Sequence, residues 1–169
     1  MKKIVIAFAV LLSSFIAVPA FAANAYIGIN AGQNKMDFSG AKESTAYSVF
    51  GGYSFNEYIA GELAYTDFGS ADTDVSGTSL KGNATSIAAV GSLPLGKDFS
   101  LFAKLGYAST KVEATGGTSE SKDDVTYGIG AQYNATKNIG IRLGYDSFKV
   151  GKTQTKDSNF MSLGVLYNF

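Results

Sequence analysis

The stretch from Asn159 to Phe169 alternates with a period of two. Met161, Leu163, Val165, Tyr167 and Phe169 share one parity, all large and apolar; Phe160, Ser162, Gly164, Leu166 and Asn168 share the other, mostly small or polar. A strand sends successive side chains to opposite faces, so this pattern is a strand with one greasy face. Its length is about what a tilted strand needs to cross a hydrocarbon layer. A half-buried strand closing a soluble sheet would show the same alternation, so the remaining residues have to decide between lipid and core.

The same period runs through most of the chain. Seven further alternating runs are expected over residues 25–34, 45–55, 58–68, 82–93, 99–110, 124–135 and 139–148. The sixth is the cleanest, with Val125, Tyr127, Ile129, Ala131 and Tyr133 against Thr126, Gly128, Gly130, Gln132 and Asn134. The fourth is irregular: Ile87-Ala88-Ala89-Val90 breaks parity, which predicts a bulge. Short turns at 55–58, 94–98 and 135–138 alternate with longer polar loops at 35–44, 69–81, 111–123 and 149–158. An even number of strands with short turns at one end and longer polar loops at the other is the pattern of an outer-membrane barrel. A soluble ligand-carrying barrel has the reverse polarity, apolar inside and polar outside. Here Gly, Ser, Ala and Thr share one face, and Leu, Ile, Val and aromatic rings the other. Unpaired backbone groups are not tolerated in lipid, so the sheet must close. The fold class expected is all-β, an eight-stranded antiparallel up-and-down transmembrane β-barrel spanning residues 23–169.

Residues 1–22 read as a cleaved signal peptide: Lys2 and Lys3, an apolar run from Ile4 to Val18, then Ala20-Phe21-Ala22 as a small-x-small cleavage site. A retained anchor fits less well, because Ser13, Ser14 and Pro19 interrupt the run.

Composition narrows the chemistry. The 169 residues include no Cys, His or Trp, and 14 basic side chains balance 14 acidic ones. Without Cys there are no disulfides or thiolate metal sites. Without His, the usual general base of membrane-barrel hydrolases is missing, and nothing marks a Ser–Lys pair. No enzyme, catalytic residue, cofactor or metal site is therefore expected. Near-zero charge with no basic run excludes nucleic acid as a partner. The segment Asp72-Thr73-Asp74-Val75-Ser76-Gly77 resembles the start of a calcium loop, but its twelfth position is Asn83 where a bidentate Glu is needed. It reads as a solvated loop, as do Asp123 and Asp124 and the lysines Lys149, Lys152 and Lys156.

One tetrapeptide recurs: Glu62-Leu63-Ala64-Tyr65, Lys104-Leu105-Gly106-Tyr107 and Arg142-Leu143-Gly144-Tyr145. Parity turns each charge inward and each Leu and Tyr outward. Unpaired charge in a narrow interior is expensive, so Glu62, Lys104 and Arg142 are expected to meet across the lumen.

These residues also carry a resemblance. Phe50-Gly51-Gly52-Tyr53-Ser54-Phe55-Asn56, Ala103-Lys104-Leu105-Gly106-Tyr107, Gly128-Ile129-Gly130-Ala131-Gln132-Tyr133 and the stretch Met161 to Phe169 resemble the OmpA-like transmembrane barrel. The resemblance implies a polar, largely plugged interior with an acidic–basic network. Glu62 and Arg142 match its strand-three acid and strand-seven arginine, and Lys104 a basic strand-five position. Two positions depart from the pattern: Ala89 stands where a strand-four lysine is implied, and Gln132 where a strand-six glutamate is implied. The resemblance also implies that Phe169, with Tyr167, is a terminal aromatic signal read by the outer-membrane assembly machinery. The peptidoglycan-binding domain of larger relatives is not expected here. The function expected is a structural or surface-interaction barrel in the bacterial outer membrane. It would contact lipid and lipopolysaccharide, keep both termini periplasmic, and display four loops to a partner that the residues do not identify. The alternative is a slow small-solute diffusion channel.

Overall fold

The computed structural model describes residues 24–36, 44–72, 79–114, 118–150 and 156–169. The leader 1–22, residues 73–78 of the calcium-like stretch, and Lys152 lie outside the described residues. Eight strands form: β1 (Ala25–Met36), β2 (Ser44–Ser54), β3 (Ile59–Asp72), β4 (Ser79–Pro94), β5 (Phe99–Ala114), β6 (Thr118–Asn134), β7 (Ile139–Val150) and β8 (Lys156–Asn168). Each pairs antiparallel with its chain neighbours, and β1 with β8 closes the ring. Among the described residues no helix is long and apolar enough to cross a membrane. Closure gives every strand two partners and leaves no edge facing lipid.

Two of the short turns owe their shape to side chains that stand in for backbone. Asn56 Oδ1 accepts the N–H groups of Tyr58 and Ile59, both at 2.8 Å. Thr136 Oγ1 accepts those of Asn138 and Ile139 at 3.2 and 2.9 Å. Asn and Thr are turn residues for this reason. The start of β1 and the C-terminal residue lie at the same end of the barrel: Phe169 N–H donates to Ala25 O at 3.0 Å, and Asn168 N–H to Asn138 O at 2.8 Å.

The alternation separates two faces. Leu63, Leu105, Ile129 and Leu163 are 60–64% exposed, whereas Phe50, Phe160 and Leu166 on the other parity are 1–2% exposed. Exposed here means facing lipid.

The anticipated bulge at 87–90 does not form. β4 pairs with β3 without interruption from Asn83 to Gly91, and with β5 from Leu80 to Pro94. Ile87 and Ala89 face out, while Ala88 and Val90 face in. Parity only looked broken because the lumen is apolar at that level: Val90 packs with Tyr26, Phe50, Ala60, Phe102 and Leu166. A register shift instead falls between Asp67 and Ser70 on β3. There Gly69 has a φ of +72°, and Asp67 Oδ1 accepts its N–H at 2.8 Å. Only Gly adopts that backbone without strain.

Two of the polar runs expected as long loops, 69–81 and 111–123, are largely strand. The β5–β6 ladder continues to Ala114 opposite Thr118, and β3–β4 to Asp72 opposite Ser79. Above the lipid both faces of a hairpin are wet, so the period of two loses its hydrophobic mark while the backbone ladder goes on.

The lumen is also less polar than expected. A second apolar cluster of Ala46, Phe68, Ala84, Ala108, Phe148 and Phe160 lies toward the long-hairpin end, where Phe68 and Phe148 meet edge to face at 5.3 Å. Glycines opposite the rings make room for them. Tyr26 pairs across the ladder with Gly52, Phe50 with Gly28, and Phe102 with Gly130. A β-carbon at any of these glycines would run into the ring beside it.

Gly130→Val should therefore destabilise the barrel by about 1–3 kcal/mol through overpacking. Gly91→Val, on the lipid face with nothing within 4 Å of the added carbon, should be close to neutral. Reversible urea unfolding in lipid vesicles measures both.

Candidate functional site

The inward charges of β3, β5 and β7 converge in the middle of the lumen. Arg142 Nη1 donates to Glu62 Oε2 at 2.6 Å, with both residues buried. Tyr26 O–H donates to the same carboxylate oxygen at 3.0 Å. Lys104 Nζ lies 3.5 Å from Glu62 Oε1 and 2.8 Å from Asp146 Oδ1. Gln132, the cross-strand partner of Arg142, accepts its Nη2 and Nε hydrogens at 3.2 and 3.4 Å. The Gln132 amide then donates to Asn134 Oδ1 at 2.9 Å. One chain of contacts thus runs from Asn134 through Gln132, Arg142, Glu62 and Lys104 to Asp146.

The structure brings together Glu62, Lys104, Arg142 and Gln132. It places Phe169 and Tyr167 elsewhere, edge to face at 5.2 Å on the outer face at the short-turn end. Ala89 is not in the network: it faces lipid, and the lumen-facing neighbour of Glu62 on β4 is Ala88. The residues that the sequence argument missed are Asp146, Tyr26, Phe50 and Phe102. Asp146 was within reach of simple charge arithmetic. One acid against two cations leaves a cation over, and Asp146 shares the inward parity of Arg142 on the same strand. Gly128, opposite Asp146, leaves the space its carboxylate occupies.

Aromatic rings surround the arginine. Its guanidinium carbon lies 4.7 Å from the ring centroids of both Phe50 and Phe102, and 5.5 Å from that of Tyr26. Each contact is within cation–π range.

The ion pair stands at the boundary between two spaces. A chamber of about 450 Å³ opens toward the short-turn end, lined by Tyr26, Ser54, Gln132, Asn134, Arg142 and Asn168 among others. Beyond the pair, Asn30, Glu62, Thr66, Lys104 and Asp146 line a cavity of about 20 Å³, room for a water. Among the described residues no cluster of three or more acids could hold a metal ion. What the arrangement can do is bind charge to charge across a narrow bore.

A closed eight-strand ring with an apolar outer belt and charged side chains turned inward defines a small outer-membrane β-barrel. Residues 8–169 match the model of the family described as outer membrane protein beta-barrel domain, and the chain belongs to that family. Outer membrane protein A of Yersinia pseudotuberculosis is 26% identical over 197 aligned residues, covering 100% of this chain and 56% of the relative. That of Shigella flexneri is 28% identical over 196, with the same coverage. The chain spans about half the length of these relatives. Among solved structures, Neisserial surface protein A matches with a TM-score of 0.71 at 19% identity, over 86% of this chain and 97% of that one. Ail of Yersinia pestis matches at 0.58 and 22% identity, over 86% and 97%. The N-terminal β-barrel domain of Pseudomonas aeruginosa OprF matches at 0.60 and 20%, over 85% and 97%. At these identities the likeness is one of fold, and it agrees with a place in the bacterial outer membrane.

Removing one partner of the central pair strands a buried charge. Glu62→Ala and Arg142→Ala should each cost on the order of 3–5 kcal/mol, and the double variant less than their sum. A double-mutant cycle by urea unfolding checks this; additive losses would mean that the two side chains do not interact.

Proposed function

We propose that this chain is a structural and surface-interaction barrel whose lumen is plugged, and that it displays its four long connections outside the cell. The observation that carries the reading is the Glu62–Arg142 contact across the bore, with an apolar cluster toward each end of it. A solute moving along the axis would have to displace buried rings and separate a buried ion pair. Glu62, Lys104, Arg142 and Gln132 act in this reading as an interior network that holds the plug in register. No catalysis, cofactor or metal is part of it.

Both termini face the periplasm in this reading, because they share the end with the short turns and outer-membrane barrels keep their short turns there. Residues 1–22 are the exported leader. Lipid and lipopolysaccharide surround the belt. Tyr167, exposed on the last strand, and Phe169, exposed just after it, are what the assembly machinery reads.

A slow diffusion channel is the second reading, and one observation favours it. Gln132 offers Arg142 only a neutral acceptor, beside a chamber of about 450 Å³ that already opens to one side. Single-channel recording in planar bilayers separates the two. Persistently closed traces are expected; reproducible small openings from a homogeneous sample would replace the plug with a pore.

Deleting Phe169 should lower assembly in cells more than it lowers refolding in detergent. Equal losses would mean that Phe169 acts by packing and not as a signal.

A further inference from the structure

Arg142 is met by groups suited to a guanidinium. Its N–H hydrogens, which lie in one plane, reach Glu62 and Gln132. Its carbon sits over the rings of Phe50 and Phe102 at the same 4.7 Å. Lys104, the nearby ammonium, is treated differently: its charge goes to two carboxylates, and its nearest ring centroid, that of Phe102, is 5.8 Å away. A guanidinium is planar and weakly hydrated, with donors at its edge and bare faces, whereas an ammonium is a compact, strongly hydrated point charge.

We propose that Phe50, Phe102, Glu62 and Gln132 form a guanidinium-selective site inside the barrel, in which the two phenylalanines are positioning residues that hold Arg142 flat across the lumen. The site belongs to the lumen wall and not to the arginine. The wall should therefore accept a free guanidinium when the side chain is removed, and refuse an ammonium of similar size. Access exists, because Arg142 lines the chamber open at the short-turn end. The proposal does not depend on whether the barrel conducts.

Arg142 is the only arginine in the chain, so a ¹⁵N-labelled barrel refolded in micelles gives a single arginine Nε–H signal. That signal should be displaced from the position of free arginine by ring currents and should exchange slowly with water. Phe50→Leu and Phe102→Leu keep apolar bulk but remove the ring face. Each should move the signal toward free arginine and speed its exchange about tenfold, while Phe102→Tyr should restore it. An unmoved signal and unchanged exchange in both leucine variants would reduce the rings to packing and overturn the proposal. In Arg142→Ala, millimolar methylguanidinium should raise the urea midpoint relative to its effect on wild type, and methylammonium should not. Equal responses to the two ions would overturn the selectivity. If Arg142→Ala does not refold, the leucine variants decide alone.

Discussion

An eight-strand ring encloses a bore just wide enough for side chains to fill, and that dimension governs everything inside this protein. Each lumen-facing side chain must be matched by a smaller one beside it. The glycines opposite Tyr26, Phe50 and Phe102 meet that demand through direct cross-strand pairing. Glycine in a strand ordinarily costs stability, since it loses backbone entropy and packs nothing. Here the neighbouring ring covers the glycine, so the cost is met by the packing it permits.

The four charges of this network follow from the same narrowness. Two cations and two acids make the network neutral, which a poorly hydrated bore requires. Pairing of this kind is weak evidence for net stability, because desolvation consumes most of the Coulombic gain. The two apolar clusters therefore account for the packing of the lumen, while the charges specify which strands face one another across it. Asp146 matters to this balance as much as Glu62 does. Without it, Glu62 would have to neutralise both Arg142 and Lys104.

Much of this was legible before any coordinates. The period of two placed Glu62, Lys104 and Arg142 on one face, and closure in lipid made them neighbours. What stayed hidden has physical causes. Val90 looked like a break in parity because a polar lumen was assumed, and an inward apolar residue then mimics a slip. Strands in the polar hairpins vanish from a hydrophobicity pattern once water wets both faces, although their hydrogen-bond ladder continues. The turn at Gly69 left only Asp67 and a glycine as its signal, which a polar segment offers in many places. The aromatic surroundings of Arg142 come from β1, β2 and β5, and no spacing along one strand encodes such a meeting.

Gln132 shows how a single atom type sets the number of states available to this network. A carboxylate at that position would give Arg142 a second anion on its own sheet neighbour, equivalent in charge to Glu62. Two comparable partners make a side chain bistable. The amide accepts the same two hydrogens but carries no charge, and charge-assisted bonds are roughly twice as strong as neutral ones. Glu62 is therefore the dominant partner, and Gln132 orients the guanidinium without competing for it. Lys104 cannot easily take Glu62 for itself either, since its shorter contact is with Asp146, at 2.8 Å against 3.5 Å. With the shortest contact of each cation on a different acid and two rings 4.7 Å from the guanidinium carbon, the electrostatics favour one arrangement of the bore.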